Sequence, residues 1–302
     1  MPPTSPFSLS ITQYLHSYLS SASQKNGFII IVLGREWVRC WTLPPGVMIL
    51  ASLGISRFFL QWAAVVSNFS TYFSLIYRSL YLRVLWNFTN VATLWFTTWL
   101  AVFYCVKISS FTHPIFLWLK WRISRCVPWL LLCSILISIL IFILTLIKAY
   151  HDYQLPVTGN YSEKTSLDDR TWLLRRHFST HLQMFMWLIP FIFFLASIIL
   201  LISSLCQHLG NMQHHSAGPQ DQSMQVHITT LKSLFFFLFL YASYVLSLIV
   251  TSIESISICS PQFWVWEVII YAGISIHPAL LILNNLKLRR ALKKMLHDPE
   301  TA

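Results

Sequence analysis

Six long apolar stretches constrain this chain more than any other feature of its sequence. They cover residues 46–67, 85–106, 127–147, 182–206, 232–253 and 263–285. Each is close to the ~20 residues that a helix needs to cross ~30 Å of hydrocarbon. Strands of a membrane barrel would instead appear as alternating segments of about ten residues. The pattern therefore predicts an all-α membrane protein.

Composition supports a lipid environment. Only 10% of the 302 residues are charged, whereas a soluble domain carries about 25%. The net charge is +11, but the basic residues flank the apolar stretches and form no separate patch. We therefore expect membrane lipids, and not nucleic acid, as the partner of this positive charge.

A seventh segment, 8–33, is a weak candidate for a membrane span. Gln13, His16, Gln24 and Lys25 interrupt it, and only its last residues form a clean apolar run. Hydropathy alone does not identify it as a span.

Charge asymmetry gives an orientation. The segment 107–125 carries basic residues without acids, the tail carries five basic residues within 287–294, and the short segment after 33 carries Arg35 and Arg39. Basic loops mark the cytoplasmic side, and these three lie on one side only if segment 8–33 crosses the membrane. The sequence thus predicts one domain, 1–302, that is a seven-transmembrane helix bundle with its N-terminus outside and its C-terminus cytoplasmic.

Two longer loops are predicted, at 149–181 and 207–230. The second contains four histidines, but they lack a tight ligand spacing, so a solvated loop is favoured over a metal site. No metal, cofactor or enzymatic activity is expected, since no nucleophile, zinc or phosphate-binding motif occurs. Transporters usually carry several ionisable residues within the membrane, and here Glu267 is the only acid in the six stretches.

Polar residues inside spans are costly and therefore indicate function or structure. Arg57 lies about ten residues into the second span, which favours an interior hydrogen-bonding node over an arginine that reaches the interface. Asn26 is a candidate partner, because polar side chains join helices in lipid.

Trp86 and Asn90 are four residues apart and so share a helix face, and Glu267 is predicted at the same membrane level. An aromatic ring, an amide and a carboxylate suit a pocket for small amphipathic or cationic molecules. Placement in the interfacial aromatic belt is the alternative. The residues alone do not decide between a ligand pocket and the aromatic belt.

Three sequons are present, at Asn68, Asn87 and Asn160. Asn160 lies in the middle of a predicted outer loop, whereas the other two adjoin span ends. We therefore expect glycosylation at Asn160.

Six motifs in register make the chain resemble the type 2 taste receptors, the bitter taste receptors, over nearly its whole length. They lie at 26–29 (NGFI), 53–62 (LGISR and QW), 103–122 (FYCVKI and FLWLKWR), 204–213, 227–232 and 277–289 (HPALLIL and KLR). The branch resembles members 41 and 62.

The resemblance implies a plasma-membrane receptor for small bitter agonists, coupled to a gustducin-like heterotrimeric G protein. The implied ligand-binding residues are Trp62, Trp86, Asn90, Tyr244 and Glu267, with Gln183 and Met186 facing the cavity above Pro190. The implied structural or switch residues are Asn26, Arg57, His277 and Pro278. The residues expected to face the G protein are Lys107, Lys120, Arg122 and Lys232.

Two other functions remain as alternatives. One is a transporter or channel, which would move a substrate without a G protein. The other is a degraded receptor copy that neither inserts nor signals, and the polar first segment is the feature that raises it.

Overall fold

The computed structural model describes most of the chain, and helices dominate it. The described residues are 6–40, 43–72, 76–109, 113–157, 166–215, 222–253 and 261–297. The helices within these residues are α1 (Pro6–Cys40), α2 (Pro45–Tyr72), α3 (Ile76–Ile108), α4 (Pro114–Val157), α5 (Ser166–His215), α6 (Gln222–Ile253), α7 (Pro261–Asn284) and α8 (Leu286–His297).

Six of these helices contain a segment long and apolar enough to cross a membrane. The segments are Pro45–Val66, Val84–Ile108, Phe116–Ile147, Thr180–Gly210, His227–Ser252 and Val265–Leu283. They overlap the six predicted stretches and fit a multi-pass membrane protein. α1 is not among them, in keeping with the weak hydropathy of 8–33.

The two long loops were predicted too long. α4 continues to Val157 and α5 begins at Ser166, while α5 continues to His215 and α6 begins at Gln222. The polar flanks of the apolar stretches extend the helices because water can solvate them there, and strong helix breakers such as Gly218 and Pro219 come late.

α1 packs against α2 and α7 through a stripe of buried side chains at helical spacing. The stripe consists of Leu19, Ala22, Asn26, Ile29 and Leu33. Its spacing of three and four residues places one face toward the bundle. Segment 8–33 is therefore a helix of the bundle despite its polar residues.

α3 occupies the centre of the bundle. It packs against α2, α4 and α5, and it is the most buried of the six spans. On its α6 side, the Tyr241 hydroxyl donates a hydrogen bond to the Leu94 carbonyl over 3.2 Å. Side chains of α3 can thus contact most of the other helices.

The basic tail forms α8, an additional helix that follows α7 directly. Asn285 caps it, since its Oδ1 accepts a hydrogen bond from the Leu288 backbone N–H at 3.3 Å. Leu288 is fully buried, whereas Arg289 and Arg290 are exposed. α8 is amphipathic and contacts α7 and α1.

Candidate functional site

Asn90 and Tyr244 meet between α3 and α6. The Tyr244 hydroxyl donates a hydrogen bond to Asn90 Oδ1, and both side chains are buried. They are 154 positions apart in the chain, so only the fold brings them together. A buried polar pair of this kind links the two helices and fixes their relative position.

Trp86 lies one turn from Asn90 on α3. It is partly buried and packs against the main hydrophobic cluster of the bundle, which also includes Tyr244 and Tyr271. Glu267 is partly buried on α7 and shares a side-chain hydrogen bond with Tyr271, one turn along the same helix. Aromatic rings, an amide and one carboxyl group therefore belong to this end of the bundle, the outer end in the predicted orientation.

α5 approaches the same end of α3. Gln183 Nε2 donates a 2.8 Å hydrogen bond to Asn87 Oδ1, and Met186 packs against the main cluster. Asn87 is 5% exposed, so its sequon is closed to modification in the folded chain. Asn160, the expected glycosylation site, lies outside the described residues.

Trp62 has different surroundings from the other predicted ligand-binding residues. Its side chain is 51% exposed and lines a groove of about 810 Å³ formed by α1, α2 and α8. Gln61, its neighbour, is 1% exposed and turns into the bundle. The structure thus groups Trp62 with the groove and not with Asn90 and Tyr244.

Arg57 is a buried node, as predicted, but Asn26 is not its partner. Arg57 Nη2 donates to Thr97 Oγ1 on α3 at 3.3 Å, whereas Asn26 Nδ2 donates to Gln61 Oε1 at 3.1 Å. The expectation of an Asn26–Arg57 pair is wrong because Gln61, one helical turn from Arg57, faces α1. Sequence reasoning assigned no role to Gln61 or Thr97, although polar residues within apolar spans were the available signal.

A small cavity of about 10 Å³ lies beside Arg57. It is lined by Arg57, Leu60, Thr93, Phe237, Leu240, Tyr241, Tyr244, Gly273, Ile274 and His277. The His277 ring lies 4.6 Å from that of Phe237, centroid to centroid. Pro278 follows inside α7, and because it lacks an N–H it leaves the Ile274 carbonyl without its helical partner.

The four basic residues predicted to face the G protein are all exposed: Lys107, Lys120, Arg122 and Lys232. Lys107 Nζ donates to the Lys120 carbonyl at 3.4 Å, which ties the end of α3 to the start of α4. Arg122 stacks over the Trp118 ring at 5.2 Å.

The C-terminal end of α5 and the N-terminal end of α6 also meet. The rings of His208 and His227 are 5.3 Å apart. Among the described residues, no group of three or more metal-ligating side chains occurs.

Known proteins match this chain along most of its length. A family model described as "Taste receptor protein (TAS2R)" covers residues 12–300. The chain belongs to the type 2 taste receptor family. It is thus a member of the bitter taste receptors, which are G-protein-coupled receptors.

Individual relatives agree with the family assignment. Taste receptor type 2 member 134 of Rattus norvegicus is 47% identical over 269 residues, which are 89% of this chain and 80% of the relative. Member 41 of Pan paniscus is 45% identical over 276 residues, 90% of each chain. Member 16 of Pan troglodytes is 42% identical over 270 residues, 89% of this chain and 91% of the relative. The predicted resemblance to the family is confirmed.

Proposed function

We propose that this chain is a plasma-membrane receptor for small bitter-tasting compounds that activates a gustducin-type heterotrimeric G protein. The observation that carries the proposal is the buried Asn90–Tyr244 hydrogen bond between α3 and α6, in a member of the type 2 taste receptor family. In this proposal the N-terminus is outside, the C-terminus is cytoplasmic, and Asn160 carries a glycan.

The agonist site is formed by the residues around that bond. Asn90 Nδ2 has no hydrogen-bond partner among the described residues, so an agonist acceptor would satisfy a donor that is otherwise buried and unpaired. Trp86 supplies an aromatic surface, and Gln183 and Met186 border the site from α5. Glu267 pairs with agonists that carry a positive charge.

In this proposal an agonist activates the receptor by competing with the Asn90–Tyr244 hydrogen bond. An agonist that binds Asn90 or Tyr244 more favourably when α6 has moved stabilises that state and shifts the population toward it. Movement of α6 opens the inner ends of α5 and α6, where Lys232 lies, beside the end of α3 and the start of α4 with Lys107, Lys120 and Arg122. These four residues then contact the G protein.

The test is a calcium-flux assay in cells that supply a gustducin-like α subunit, with surface labelling of an N-terminal tag. Tyr244→Phe removes the hydroxyl and is expected to change agonist potency about tenfold, as expected for one hydrogen bond. Tyr81→Phe is the matched control, because Tyr81 is 68% exposed at the other side of α3. It should respond as the unmodified chain does.

Three outcomes contradict the proposal. Agonist responses that are unchanged in both Tyr244→Phe and Glu267→Gln would remove the proposed site. Substrate flux that needs no α subunit would indicate a transporter or channel, and an intact tagged chain absent from the surface would indicate a non-signalling copy.

A further inference from the structure

The cavity beside Arg57 lies among the four helices α2, α3, α6 and α7, beneath the proposed agonist site. Arg57 and Leu60 line it from α2, Tyr241 and Tyr244 from α6, and His277 from α7. Its volume of about 10 Å³ is about the smallest that accommodates one water-sized ligand. Only a monatomic or water-sized species fits, and any larger polyatomic ion is excluded.

Charge in this region is uncompensated. Arg57 is 5% exposed and keeps its proton at any pH that proteins encounter. Its described hydrogen bond goes to a neutral hydroxyl, that of Thr97, and no carboxylate lines the cavity. Glu267, the one acid in the six spans, bonds with Tyr271. A buried cation without a counter-charge is costly, so a negative ligand is favoured here.

The unpaired atoms are almost all nitrogens. Among the described residues, eight buried side-chain polar atoms lack a partner, and seven are nitrogens, including Arg57 Nε, Arg57 Nη1 and His277 Nδ1. The hydroxyl protons of Tyr241 and Tyr244 are already donated to Leu94 and Asn90. His277 Nδ1 is a donor in one of its tautomers.

Charge distinguishes an anion from water. A water molecule could donate its protons to acceptors at the cavity, such as the Ile274 carbonyl, but it would leave Arg57 without a counter-charge, whereas a halide supplies one. A halide can accept from Arg57 on α2 and from His277 on α7 at once.

We propose that this cavity binds one monatomic anion, chloride under physiological conditions, held by Arg57 and His277. The anion neutralises Arg57 and joins α2 to α7 below Tyr244. Because it binds the packed arrangement of these helices, chloride stabilises that arrangement against unfolding.

The first test uses the full chain in lipid nanodiscs and measures its thermal unfolding midpoint in different sodium salts at constant ionic strength. Chloride and bromide are expected to raise the midpoint saturably. Gluconate and sulfate are too large for the cavity, so gluconate should leave the midpoint unchanged and sulfate should raise it only without saturation, through its exclusion from the protein surface. The absence of a saturable rise in chloride and bromide would mean a bound water only and would overturn the proposal.

Variants then test which residues bind the chloride. His277→Phe keeps a ring against Phe237 but removes the donor, so the chloride concentration for half of the effect should rise about tenfold. Arg57→Gln should abolish the chloride dependence. Arg289→Gln, on the exposed face of α8, is the matched control and should keep it.

The proposal can be tested even if Arg57→Gln does not fold, because the chloride titration of His277→Phe and the comparison of salts do not depend on that variant. Unchanged chloride dependence in His277→Phe would place the anion elsewhere and overturn the proposal. These measurements contain no agonist or G protein, so their failure is distinct from failure of the proposed receptor function.

Discussion

Gly273 of α7 lies against Tyr244 of α6, and its lack of a side chain sets the distance between the two helices. A Cβ added at Gly273 would lie 3.1 Å from Tyr244 Cβ and 3.4 Å from Tyr244 Cδ2. Ordinary carbon–carbon contacts are about 3.5–4.0 Å. Gly273→Ala must therefore push Tyr244 and α6 away from α7 by a few tenths of an ångström.

Two opposing effects set the change in stability that Gly273→Ala causes. Glycine to alanine within a helix gains about 1 kcal/mol in helix propensity, whereas overpacking a well-packed site costs about 1–3 kcal/mol. Gly34 is the matched control, because an added Cβ there meets nothing within 4 Å and only the gain applies. Gly273→Ala is thus expected to be less stable than Gly34→Ala by about 1–3 kcal/mol.

Thermal unfolding of both variants in the same nanodiscs measures this difference. At about 2 °C per kcal/mol for a chain of this size, the Gly273→Ala midpoint should be lower by about 2–6 °C. Its agonist potency should also fall, because Tyr244 moves relative to Asn90. Equal midpoints for the two variants would refute the reasoning about the α6–α7 distance.

Two further predictions follow from single contacts. Thr97→Val removes the acceptor of Arg57 and should lower the free energy of unfolding by about 1–3 kcal/mol in the same assay. Thr145→Val loses only a bond to its own helix and should lower it much less. Similar losses in the two variants would contradict the interpretation of Arg57 as a buried hydrogen-bonding node. Asn160→Gln should remove one glycan, seen as an electrophoretic shift, and Asn87→Gln should remove none because Asn87 is buried; the opposite pattern would contradict the predicted outer loop.

The six spans could be predicted from the sequence because lipid imposes a long apolar run on each of them. α1 was harder. Its buried stripe has regular helical spacing, but Ser20, Ser21 and Gln24 on the exposed side lower the average hydropathy of the segment. Charge asymmetry and family resemblance predicted this helix where hydropathy alone did not.

The pairing of polar residues was predictable only in part. Arg57 and Gln61 are one turn apart and share a helix face, so either was a possible partner for Asn26, and the rotation of α2 decides for Gln61. Trp62, one residue further, is turned by about 100° and faces the groove beside α1. Such rotations depend on packing between helices, which no local pattern in the sequence encodes.

The most direct test of receptor function is nucleotide exchange with purified components. The chain in nanodiscs is mixed with a gustducin-type heterotrimer and a compound that evokes calcium flux in cells, and binding of a non-hydrolysable GTP analogue is followed. The compound is expected to accelerate exchange with the unmodified chain and to require a higher concentration with Tyr244→Phe. If it evokes calcium flux in cells yet leaves the exchange rate unchanged with purified components, the chain does not activate this G protein.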